Sequence, residues 1–73
     1  MWKQELKRAF GIVDKCFARH PMDQARAKEA RKLAKQAGAT WSDIEAEITS
    51  ILKGSTDSHV QEQLKAARAF FKL

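Results

Sequence analysis

Large apolar residues in this chain recur every three or four positions along its length, a spacing that gathers side chains onto one face only when the backbone is helical. Trp2, Leu6, Phe10, Val13 and Phe17 predict a first helix that runs to His20, weakened slightly by Gly11. It should stop there because the residue before Pro21 is driven out of the α region, while Pro21 itself suits the first turn of a second helix. That second helix, Pro21 to Ala37, is expected to bury Met22, Ala30, Leu33, Ala34 and Ala37, with Gly38 closing it in a left-handed conformation. A third opens at Thr40 or Ser42, where Ser42 and Glu45 have capping-box spacing; it turns Trp41, Ile44, Ile48, Ile51 and Leu52 inward and ends at Gly54. After a polar stretch from Gly54 to Ser58, Ser58 and Gln61 offer another capping box, and Val60, Leu64, Ala67 and Phe71 line one side of a fourth helix. The expectation is one all-α domain, residues 1–73, a bundle of three to four helices.

Size limits what such a bundle can do. The chain has 73 residues, and 12 of its hydrophobic residues are alanine, so the interior must be thin. Pockets of roughly 300 Å³ and upward need walls that a thin core can hardly build, which argues against catalysis. The apolar content exceeds that of a disordered chain, yet charges interrupt it too often for a membrane span. The N-terminal segment also lacks the apolar run and cleavage site of a secretion signal. One cysteine, Cys16, has no intramolecular partner, which points to a reducing cytoplasm.

Reactive constellations are not visible. Cys16 lies one turn before His20, and His59 lies in a different loop, so these residues do not make a closed tetrahedral metal set; no metal and no cofactor are expected. Beside Phe17, Cys16 reads as a small hydrophobe, for Lys15 and Arg19 bring charge but no base. Glu45 and Glu47 are two apart on a helix and point to different sides. No glycine-rich phosphate loop occurs, and no enzyme is read from the sequence.

The charge is more informative. The formal net charge of +5 divides into +3 over residues 1–20, +3 over 21–39, −2 over 40–54 and +1 over 55–73. On the second helix Lys28, Arg31, Lys32 and Lys35 form a continuous stripe, a pattern that an ordinary solvated face also shows. Together with Lys7, Arg8, Lys15 and Arg19 they are candidates for phosphate contacts to nucleic acid, which confer affinity with little sequence preference. The other class of function is a protein-interaction module. Trp2, Phe70, Phe71 and Leu73 are a surplus of large apolar groups near the ends, suited to a homodimer, or to an adaptor or inhibitor docked on an acidic protein partner.

Residues 32–48, KLAKQAGATWSDIEAEI, resemble a helix-turn-helix: Ala34, Gly38 and Ile44 match the small residue, turn glycine and aliphatic of that family, with Leu33, Ala37 and Ala39 around the turn. The resemblance implies Thr40 to Thr49 as a recognition helix with Trp41, Ser42 and Asp43 at its exposed start. Residue chemistry pulls the other way. Asp43, Glu45 and Glu47 precede the first base, Lys53, and would face phosphates; Ile48 in place of an aliphatic at Glu47 also rotates the buried face. Residues 5–52, with the run from Ala27 to Gly38 that reads A-x-x-A-R-K-L-A-x-x-A-G, also resemble an uncharacterised family of small helical domains from phage and bacterial proteins. This second likeness implies a helical hairpin core and a mobile-element origin, and it transfers no functional residues.

Overall fold

The computed structural model describes residues 1–11 and 13–73 and places four helices among them, with no strand: α1 Trp2–Arg8, α2 Pro21–Gln36, α3 Trp41–Ile51 and α4 Asp57–Phe71. The main helix pairs are α1 on α2, α3 on α4 and α1 on α3.

The first helix is much shorter than the apolar spacing predicts. Ala9 and Phe10 add one more turn, donating to the carbonyls of Glu5, Leu6 and Lys7, and then Gly11 takes φ +67° and ends the helical run. Position 12, inside the expected first helix, lies outside the described residues. The chain then doubles back. Asp14 Oδ1 accepts from the Cys16 amide at 3.3 Å, a local turn that competes with helix. Lys15 and Ala18 both take φ +52°, and the Ala18 amide donates to the Ala9 carbonyl at 2.9 Å.

This loop is strapped to α4 by two polar bonds: the Phe17 amide donates to Gln63 Oε1 at 2.7 Å, and His59 Nε2 lies 3.0 Å from the Lys15 carbonyl oxygen. Phe17 thereby reaches the core without a helix, its ring 5.4 Å from Phe10, 5.5 Å from Phe70 and 6.0 Å from Phe71. Val13, expected on the same stripe, is instead 95% exposed, because no helix carries it back to the interior.

Pro21 opens α2 at its first position as expected, after His20 in an extended conformation. Only alanines are buried on it: Ala27, Ala30 and Ala34. Leu33 is half-buried, and Ala37 is exposed at the turn. Met22 is 75% exposed; at 100° per residue it points roughly 110° away from the alanine face. The end of α2 is a Schellman closure. Gly38, at φ +72°, donates to Lys35 and Ala39 donates to Ala34, which satisfies two terminal carbonyls.

Thr40 starts α3, and its capping box is made with Asp43 rather than by Ser42 with Glu45: the Asp43 amide donates to Thr40 Oγ1, and the Thr40 amide donates to Asp43 Oδ2 at 2.9 Å. Ile44, Ile48 and Leu52 are buried, with Trp41 and Ile51 at the edge. Thr56 caps α4 by accepting from the His59 amide, so the Ser58–Gln61 box is not the one used. Leu64, Ala67 and Phe71 complete an interior in which no polar or charged residue is buried among those described.

Two substitutions test the short first helix. Phe17→Ala should destabilise the fold by about 3–5 kcal/mol in urea denaturation, whereas Val13→Ala should cost less than about 0.5 kcal/mol. Comparable losses at both positions would indicate the continuous helix.

Candidate functional site

The helical rise of α2 sets Lys28, Arg31, Lys32 and Lys35 within an arc of about 100°, beside the alanine face rather than on it. The three lysines are exposed, and none of the four cations joins an ion pair among the described residues. Arg31 is half-buried. Its guanidinium donates to the Phe70 carbonyl at 3.4 Å, near the negative end of the α4 dipole, and stands 5.5 Å from the Phe70 ring centroid. This side chain therefore fastens α2 to the end of α4 and gives the stripe one fixed member.

The cations expected from the front of the chain are arranged differently. Arg8 pairs with Glu5 at 3.0 Å, and the same carboxylate takes Arg26 of α2 at 3.4 Å, so Glu5 ties α1 to α2 and offsets one of the two arginine charges there. Arg19 and His20 each lie 3.5 Å from Asp14 Oδ2. The Cys16 amide holds the Asp14 carboxyl below its ordinary value of 3.8; desolvation opposes this, and the charges of Arg19 and His20 add to it. Asp14 thus stays ionised and masks Arg19. Lys7 and Lys15 are exposed and make no ion pair among the described residues, but they sit on α1 and on the loop rather than on the α2 stripe.

A set of cations that was not singled out from the sequence lies on α4. Lys65 and Arg68, three apart, share one side of that helix and Lys72 follows at its left-handed C-cap; the signal was the same spacing that marks α2. The Arg68 guanidinium sits 5.3 Å from the centre of the Trp41 ring. The four terminal apolar residues are mostly structural. Phe71 has no exposed surface and so cannot serve as an outward anchor; burial against Phe17 and Phe70 accounts for it. Phe70 and Trp2 are half-buried, each beside a cation, and Leu73 is 42% exposed.

In the segment that resembles a helix-turn-helix, Ala34 and Ile44 are buried about the Gly38 turn, and α3 leans on α1 and α4. Its open side carries Ser42, Asp43, Glu45 and Thr49, while Glu47 is half-buried. The Thr40 amide and hydroxyl hold Asp43 below the ordinary carboxylate value, against some desolvation and with help from the Lys3 charge, so negative charge is fixed at the start of this helix. Two clefts flank α3, larger than the roughly 300 Å³ that so thin a core is expected to wall in, but both are open to solvent rather than enclosed. One of about 370 Å³ has Trp2, Lys3, Asp43 and Glu47 in its walls; the other, of about 730 Å³, has Ala46, Leu52, Val60 and Leu64 between α3 and α4. Among the described residues no three His, Cys, Asp or Glu side chains are grouped to hold a metal ion, and no helix is long and apolar enough to cross a membrane. Comparisons of the chain with models of known protein families, with curated proteins and with solved structures find no match.

The Asp43 box has a pH signature. Because its folded value lies below the ordinary 3.8, its contribution is present above that pH and is lost as the pH falls through the lowered value. Thermal denaturation should therefore show wild type more stable than Asp43→Asn near about pH 7, with the gap closing near about pH 2. A gap independent of pH would mean the carboxylate charge plays no part.

Proposed function

We propose that this chain is a small, basic, non-enzymatic protein that associates with nucleic acid through phosphate contacts, with little preference for sequence. The observation that carries the reading is the α2 stripe: Lys28, Arg31, Lys32 and Lys35 lie on one side of a single helix without an acidic partner among the described residues. Cations fixed along a rigid helix need little reordering to meet a row of phosphates, and counterions released from the polyanion supply the driving force. Lys7 and Lys15 are secondary contributors, whereas Arg8 and Arg19 are largely occupied by Glu5 and Asp14. The acidic side of α3 favours contact away from that helix, so the reading does not use the recognition role that the helix-turn-helix resemblance implies. A cytoplasmic location fits the lone cysteine.

The alternative is a homodimer or an adaptor bound to an acidic protein through Trp2, Phe70, Phe71 and Leu73. It has less behind it, since Phe71 is enclosed and Arg31 stands over Phe70.

Fluorescence anisotropy with a labelled 20-nucleotide probe over a range of NaCl concentrations tests the proposal. Four phosphates neutralised by the α2 stripe contribute about −3.6 to the log–log slope on duplex and about −2.8 on a single strand. Replacing Lys28, Lys32 and Lys35 together by alanine should make the slope shallower by about 2 to 3, whereas Arg8→Ala and Arg19→Ala should change it by less than about 0.5. Absence of binding at low salt, or a flat salt response, would overturn the reading.

A further inference from the structure

We infer that the Arg68–Trp41 pair is a stacking site for an unpaired base, which makes single-stranded nucleic acid the ligand class; the inference rests on the phosphate-binding reading above. Trp41 lies at the first position of α3, half-buried at the edge of the core, and the exposed Arg68 of α4 stands over its ring at 5.3 Å. The Trp41 ring backs the guanidinium on one side, and because Arg68 is exposed its other side is open to a ligand. A planar cation held against a ring offers a flat surface and has less conformational entropy to lose when a base stacks on it.

The surroundings select what can lie on it. Lys65 lies three residues before Arg68 on the same side of α4 and Lys72 follows at the left-handed C-cap; both are exposed and supply positive charge for the phosphates next to a stacked nucleotide. Asp43 and Glu45, on the exposed side of α3 near Trp41, repel phosphates and direct the strand along α4. In a duplex each base already stacks on its neighbours and is closed to such a plane, whereas a single strand has free base faces. Arg31 over Phe70 is a second such guanidinium, but it is half-buried and bonded to the Phe70 carbonyl, so its face is less open to a base than that of Arg68, while its charge still belongs to the α2 stripe. Arg68 makes no ion pair among the described residues.

The test uses Trp2→Phe, which leaves Trp41 as the sole indole, and follows labelled-probe anisotropy and Trp41 emission in parallel with dT20, a 20-base-pair duplex and inorganic polyphosphate. The inference predicts that dT20 changes Trp41 emission and binds roughly tenfold more tightly than the duplex, and that polyphosphate, which has no bases, leaves the emission unchanged. Arg68→Lys in the same background keeps the charge and removes the plane. It should weaken dT20 binding by roughly three- to tenfold while leaving helicity, duplex affinity and the salt slope as they were. Binding of dT20 with unchanged Trp41 emission, or with no effect of Arg68→Lys, would overturn the stacking site and leave the phosphate reading standing. No anisotropy change with either oligonucleotide would remove both.

Discussion

The fold depends on a helix that buries nothing larger than a methyl group. Because α2 meets its neighbours through Ala27, Ala30 and Ala34, it can lie close to α1 and needs only a narrow strip of its circumference for packing. The remainder is left to solvent, and that is where Lys28, Lys32 and Lys35 stand. Arg31, at the border of the strip, is shared between the two: it covers Phe70 and holds the end of α4. One narrow contact therefore serves both the bundle and the cationic side of the helix.

A core this thin needs reinforcement, and the irregular segment between α1 and α2 provides it. Phe17 enters between Phe10, Phe70 and Phe71, so residues far apart in sequence form one aromatic cluster. Each such pair adds about 0.5–1.5 kcal/mol beyond its area burial, a large share of the net stability of a small domain. Gln63 and His59 then meet the amide and carbonyl groups of a segment that has no regular hydrogen-bond ladder.

Where sequence and structure agree, the deciding signals are local. Pro21 at the start of α2, Gly38 at its end and Gly54 after α3 each act through their own backbone, and the inward faces of α3 and α4 follow from spacing alone. The first helix is different: Phe10 and Phe17 are both buried, as a helical stripe requires, but Phe17 arrives by a loop whose path is set by Gln63 and His59, more than forty positions away. Nothing nearby in the sequence distinguishes the two routes. The same division runs through the candidate site. The α2 stripe is legible as spacing, but the masking of Arg8 by Glu5 and of Arg19 by Asp14 depends on how the chain turns, as does the meeting of Arg68 with Trp41.

Cations without an ion-pair partner among the described residues stand on α2 and on the last turns of α4, whereas the exposed side of α3 carries Asp43 and Glu45. The most direct measurement of that division is residue-by-residue backbone amide NMR during addition of a short oligonucleotide. The account predicts shift changes concentrated between Lys28 and Lys35 and along the last turns of α4 from Lys65 to Lys72, with the exposed side of α3 from Ser42 to Thr49 little affected beyond Trp41. Changes centred on Ser42 to Thr49, with the α2 lysines unmoved, would contradict it.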